Sequence, residues 1–279
     1  MRNETQLREA IAETVNLAQA QTPLVPSITN NVTIDFVANA QLAVGGSAAM
    51  VYMAEEACAM AQAAQAMYFN LGTLVPLLEE AILTAARNLH EMAKPYVIDP
   101  VGLGIGSERT RILEALRSYK PSIIRGNASE IIGLAGLWNL EGTAEETARV
   151  RGVDTTDSVE AAQTAAVALA RYTGGAVAVS GEVDLITDGE TVALSYGGSK
   201  LMTRITGCGC SLGGVMAVYA ALTDPFTAAL TGAVIYNYAA SQAAAEAAGP
   251  ASFKVAFLDH LYVAKGADVA ANPFVLKEA

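Results

Sequence analysis

The chain has 279 residues, 52% hydrophobic and 16% charged, enough to bury a sizeable core in one large α/β domain spanning 1–279. A formal charge of −11 is the opposite of a nucleic-acid footprint, which needs clustered Lys and Arg, and 6% aromatic content argues against a base-stacking platform. Three cysteines and two distant histidines are too few for a Cys/His zinc site, and the Cys208-x-Cys210 spacing is not that of a redox or zinc-ribbon pair.

Leu7 to Ala20 carries apolar residues at helical spacing among Arg8, Glu9 and Glu13, so it reads as an amphipathic helix and not as a signal peptide. Together with the odd cysteine count, this implies a reduced, cytoplasmic protein. Pro23 and Pro26 end that helix, and Val25 to Val32 follows as a loop or strand holding Asn30 and Asn31. Thr33 to Ala43 is helical in pattern with Thr33 as its cap, and Gly45-Gly46-Ser47 turns the chain into Ala48 to Val51. Glu55 to Gln65 is a helix and Ala66 to Leu71 a strand, then Pro76 to Met92 a helix and Tyr96 to Ile98 a strand that stops at Asp99-Pro100. Ser107 to Ser118 is helical, and Ile123 to Asn127 is an apolar strand with a polar tip. Helices are expected at Ser129–Leu137 and Val159–Tyr172, and a strand at Ala176–Ser180. Leu185–Thr187 and Thr191–Leu194 straddle Asp188-Gly189, a hairpin turn signal. Leu201 to Ile205 reads as a short strand entering a glycine turn, and helices at Ser211–Leu222, Pro225–Ala248 and Ser252–Ala264 close the chain. Helices alternating with short apolar strands predict βαβ units around a mostly parallel sheet with helices on both faces.

Ligands of such a sheet sit beyond the carboxyl ends of its strands, where Asp99, Arg125, Asn127, Glu130 and Ser180 fall. Asn127 and Glu130, three apart at a helix start, share a face and either hold a hydrated magnesium ion or simply form a capping box. Arg125, at the end of an apolar strand, needs an anion, either a nucleotide phosphate or a nearby acid. In Thr206-Gly207-Cys208-Gly209-Cys210, the glycines let backbone amides converge at a helix start, which makes an anion site. Cys210 at its rim is either a thiol activated by that helix end or a buried filler. Met50 suits a small apolar pocket or the core. Gly102-Leu-Gly104-Ile-Gly106 matches only part of a dinucleotide fingerprint and sits outside the first βα turn. His90 and His260 read as ordinary packing or surface residues.

Ile28-Thr-Asn30-Asn-Val, Asp99-Pro-Val-Gly, Arg125-Gly-Asn-Ala-Ser-Glu130 and Ile205-Thr-Gly-Cys-Gly-Cys210 occur in the order, and at the intervals, of one family. From about Pro23 to Ala264 the chain resembles the hydroxyethylthiazole kinases, of ribokinase-like fold, whose terminal cysteine stands where relatives place aspartate. The resemblance implies magnesium-assisted transfer of the ATP γ-phosphoryl to the hydroxyl of 4-methyl-5-(2-hydroxyethyl)thiazole. It further implies Cys210 as catalytic residue, Gly207, Cys208 and Gly209 as anion hole, and Arg125, Ser180 and Asn127 on ATP. Met50, Gly207 and Asn30 would meet the thiazole, Asp99 and Glu130 would serve the metal, and the assembly would be a homotrimer. Cys208 and Ser180 replace more usual Thr or Ala and Thr, and Ser199-Lys200 replaces an expected His-Pro on the adenine side. A hydroxymethylpyrimidine or pyridoxal kinase, or a non-catalytic nucleotide- or thiazole-binding protein, is the alternative.

Overall fold

The computed structural model of the chain describes residues 3–140, 159 and 161–279. Among these described residues nine strands form one sheet in the order β2-β1-β3-β4-β5-β6-β7-β8-β9: β1 Leu24–Ile28, β2 Ser47–Met50, β3 Met67–Asn70, β4 Tyr96–Asp99, β5 Ile123–Asn127, β6 Ala176–Ser180, β7 Asp184–Thr187, β8 Thr191–Ser195 and β9 Phe274–Glu278. β1 to β6 pair in parallel, joined by helical crossovers. β7, β8 and β9 add antiparallel pairings. The Asp188-Gly189 turn joins β7 to β8 as expected, with Gly189 at a φ of +93°.

Apart from the half-buried edge strand β2, the parallel strands are buried on both faces, so they read as continuous apolar runs rather than alternating ones. Tyr68, Val97, Ile123 and Ala178 face one core, built with the helices Glu4–Gln21, Ile34–Ala43, Cys208–Ala220, Pro225–Glu246 and Pro250–Val263. Phe69, Ile98, Ile124 and Val179 face the other, covered by helices Ala54–Ala63, Leu77–Glu91, Ser107–Tyr119, Ala128–Leu137 and Gln163–Thr173. The small residues of the first group allow close packing: a Cβ on Gly213 would meet the Tyr68 ring at 2.5 Å.

Several expectations need correction. Leu201 to Ile205 is not a strand; Lys200–Arg204 is a 3₁₀ helix, with the Ser199 side chain accepting the Leu201 amide. Its predecessors Gly197 and Gly198 take positive φ, which turns the chain off the sheet edge. The strand β9 and the helix Gly266–Ala271 extend beyond the last expected helix; β9 covers the edge of β8. The helix expected at Val159–Tyr172 starts at Gln163; within that stretch, residue 160 lies outside the described residues. Thr33 makes no side-chain cap; Asn30 Oδ1 accepts the Val32 and Thr33 amides instead.

Candidate active site

Period-two geometry assembles the site. Counting two residues on from Tyr68, Val97, Ile123 and Ala178 gives Asn70, Asp99, Arg125 and Ser180, all at carboxyl tips and all on the face that carries the Cys208–Ala220 helix. The register sets Asn70 beside Asp99 and Asn127 beside Ser180. Bonding is continuous across these tips. Arg125 donates from Nη1 to Asp99 Oδ2 at 3.0 Å and from Nε to Ser180 Oγ at 3.1 Å. Tyr68 Oη and Asn70 Nδ2 donate to the same Asp99 oxygen, each at 3.2 Å. Asp99 Oδ1 is buried with no hydrogen-bond partner among the described residues.

The glycine turn lies over this cluster. Gly207 precedes the helix with a φ of +90°, a left-handed conformation that favours glycine, and its Cβ would meet Thr33 Cγ2 at 2.8 Å. The helix starts at Cys208 and not at Ser211, and the Ser211 amide already bonds Gly207 O. Amides of Cys208, Gly209 and Cys210 therefore belong to the open first turn, and no side chain caps them. Gly209 has ordinary helical backbone, but a Cβ there would lie 2.5 Å from Arg125 Nη2 and 2.7 Å from Nη1. The guanidinium is packed against the end of the helix, so cation and helix end face the same place. An anion is the ligand such a place accepts.

Cys210 stands at the acceptor end of the cluster, where Asn30 Nδ2 lies 3.7 Å from its Sγ. Burial first, and then Asp99, push its thiol above the ordinary value, against the pull of Arg125. The thiolate that the helix end was expected to favour is therefore not the resting form. Burial pushes the Cys208 thiol up as well, to about 12. Burial also lifts Asp99 to about 6, with Arg125 opposing and Glu130 adding to the rise.

Both readings of Asn127 and Glu130 meet here. The capping box is present: Asn127 Oδ1 accepts the Glu130 amide at 2.8 Å and Glu130 Oε2 accepts the Asn127 amide at 2.9 Å. Glu130 Oε1 also accepts the Gly102 amide at 3.3 Å, which explains the Gly102–Gly106 segment as a loop tied down beside the site. Among the described residues no cluster of three acidic, His or Cys side chains forms a closed metal cage. The donor set still suits magnesium, which takes one or two carboxylates and keeps waters and phosphate oxygens, and the unpartnered Asp99 Oδ1 is the available ligand atom. Met50 ends β2, opposite Ser27 of β1, and is half-buried. His90 is exposed, and His260 pairs with Glu246.

Two residues escaped the sequence reading. Asn70 and Tyr68 are fully buried in the middle of the network. Asn70 had a signal, a polar residue at the tip of an apolar strand like Asp99. Tyr68 had none, since a buried tyrosine in a strand reads as core.

The strand tips, the open helix end and the buried arginine define a small-molecule kinase site of the α/β class, in which the protein positions phosphoryl groups and meets their charge. A ribokinase-like protein from Enterococcus faecalis shares the fold, with a TM-score of 0.58 at 12% identity over 87% of this chain and 88% of that one. The hydroxyethylthiazole kinase family matches residues 15–265, and the chain belongs to that family. A hydroxyethylthiazole kinase from Bifidobacterium longum subsp. infantis is 46% identical over 98% of this chain and 93% of its own. The structure of a hydroxyethylthiazole kinase from Pyrococcus horikoshii superposes with a TM-score of 0.84 at 32% identity, covering 97% of this chain and 99% of that one. Among the described residues no helix is long and apolar enough to cross a membrane.

Proposed function

We propose that the chain transfers the γ-phosphoryl of ATP to the primary hydroxyl of 4-methyl-5-(2-hydroxyethyl)thiazole, as a single cytoplasmic kinase domain in thiamine salvage. The observation that carries the reading is the Arg125 guanidinium packed against the uncapped Gly207–Cys210 helix end, with Cys210 set beside Asn30. ATP lies with its phosphates against Arg125, Ser180 and Asn127, and the alcohol lies between Met50, Gly207 and Asn30 with its oxygen toward Cys210. Asp99, through its unpartnered Oδ1, and Glu130 would hold magnesium, which would neutralise phosphate charge.

The chemistry asks little covalent work of the protein. The alcohol oxygen bonds to γ-phosphorus as the bond from γ-phosphorus to the β–γ bridging oxygen breaks, and ADP leaves. The alcohol proton passes to the Cys210 thiolate. Since burial and Asp99 disfavour that thiolate, only a minority form serves at neutral pH, and the gain from base catalysis stays modest. Most of the acceleration comes from alignment and from the amides of Cys208, Gly209 and Cys210, which form the anion hole with Gly207. Exposed Val32 and Met53, just past the tips of β1 and β2, extend an apolar surface beside the alcohol end that a subunit boundary of the proposed homotrimer would cover.

The deciding experiment is turnover of purified protein with ATP and the thiazole alcohol, with hydroxymethylpyrimidine and pyridoxal as competing acceptors and with EDTA as the metal control. Expected are a magnesium-dependent thiazole phosphate and a far higher kcat/KM for the thiazole than for either alternative. Preference for another alcohol, or binding without ADP release, would overturn the assignment.

A further inference from the structure

Two buried asparagines lie between the alcohol end and the phosphate end, and their amide orientations are not free. Asn30 Oδ1 must accept, because the Val32 and Thr33 amides both donate to it at 3.1 Å. Its Nδ2 therefore faces inward, 2.8 Å from Asn70 Oδ1 and 3.7 Å from Cys210 Sγ. Asn70 Oδ1 must accept in turn, from Asn30 and from the Gly72 amide at 3.0 Å. That leaves Asn70 Nδ2 to donate to Tyr68 Oη at 2.9 Å and to Asp99 Oδ2 at 3.2 Å. Every polar position on both amides is used, and each amide has one orientation that satisfies its neighbours. Gly72 makes room for this contact, since a Cβ there would stand 3.0 Å from both Asn30 Nδ2 and Asn70 Oδ1.

We infer that Asn70 is a positioning residue of phosphoryl transfer: its amide carries a hydrogen-bond polarity, set by the backbone amides of Val32 and Thr33, from Asn30 beside Cys210 to the Asp99 oxygen that holds Arg125. The inference rests on the kinase reading above and deepens it. Three donors converge on Asp99 Oδ2: Tyr68, Asn70 and Arg125. They fix the carboxylate so that its other oxygen, Oδ1, is left available and buried. Reversing one amide anywhere in the series puts two acceptors face to face, and the misfit is relieved at Asp99 and so at Arg125. A change at the alcohol end is thereby felt at the nucleotide end.

The test uses full-length protein and steady-state kinetics in both substrates. Asn70→Asp is nearly isosteric and keeps the acceptor for Asn30, but presents an acceptor to Asp99. Expected are a kcat at least 30-fold lower and an ATP KM at least tenfold higher, with the alcohol KM within threefold. Asn30→Asp imposes an acceptor on Asn70 and should raise the ATP KM at least tenfold. Asn30→Ala deletes donor and acceptor together without reversing anything; it should raise the alcohol KM, since Asn30 meets the alcohol, and leave the ATP KM within threefold. Melting midpoints accompany each variant; if Asn70→Asp does not fold, the ATP KM of Asn30→Asp against that of Asn30→Ala decides alone. Equal ATP KM values for those two variants, or wild-type parameters in folded Asn70→Asp, overturn the inference and leave the kinase reading intact. No turnover by the wild-type chain overturns both.

Discussion

Gly209→Ala sets two opposed effects against each other at one atom. Gly209 has no positive φ, so alanine is allowed by the backbone and improves helix propensity by about 0.5–1 kcal/mol. The new methyl, however, would sit 2.5 Å from Arg125 Nη2, 2.7 Å from Nη1 and 2.9 Å from Cζ. Restoring van der Waals contact requires the guanidinium to retreat by about 1 Å, given carbon contact distances of about 3.5 Å. Arg125 is held by a 3.0 Å bond to Asp99 and a 3.1 Å bond to Ser180, so that retreat takes at least one of them beyond hydrogen-bond range. Loss of a charged hydrogen bond costs about 1.5–3 kcal/mol, which exceeds the helix gain. The net expectation is a loss of about 1–2 kcal/mol, or a midpoint lower by about 2–4 °C in a chain of this size. Catalysis should suffer more, because displacing a positioning group by about 1 Å costs about 10²-fold. Calorimetry and steady-state kinetics at saturating alcohol measure the two together. A midpoint that rises, with kcat/KM for ATP unchanged, would refute the packing of Arg125 on the helix end.

Two further outcomes follow from the same geometry. Cys210→Ala should lower kcat, by no more than the ~10²–10⁴-fold of general-base catalysis, and leave measurable turnover because the anion hole remains; Cys210→Asp should restore or exceed the wild-type rate. An unchanged kcat in the alanine variant would remove Cys210 from the reaction, and a dead aspartate variant would contradict its role as base. Asp184, whose carboxylate accepts the Gly181 amide and the Asn237 side chain, is pushed up to about 6 by burial. Its folded form thus binds a proton more tightly than an ordinary aspartate, so its contribution to stability falls as pH rises from about 4 to about 6 and is level above that. Relative to Asp184→Asn, the wild type should lose stability over that window, and denaturant midpoints that run parallel would sink the assignment. Asp99 shifts in the same direction but is common to both proteins and cancels.

Period, turn chemistry and the apolar strands were enough to read the parallel βαβ core, the hairpin at Asp188-Gly189 and the placing of Asp99, Arg125, Asn127 and Ser180 at strand ends. Family motifs from Asn30 to Cys210 were legible for the same reason: they are local. Tertiary structure alone decided what those residues do to one another. Arg125 was open between a phosphate and an acid, and the fold pairs it with Asp99 while pressing it on Gly209. Glu130 was open between cap and metal ligand; its amide bonds make it a cap, and only the fold shows that Asp99 beside it keeps an unpartnered oxygen for a metal. The 3₁₀ turn at Lys200–Arg204 and the edge strand Phe274–Glu278 were illegible because neither has a period long enough to declare itself. Asn70 and Tyr68 were missed because hydrogen bonding across four strands has no signature along one of them. The rise in the Cys210 thiol was likewise beyond local reading, since burial and the charge of Asp99, 111 positions earlier in the chain, outweigh the opposing pull of Arg125.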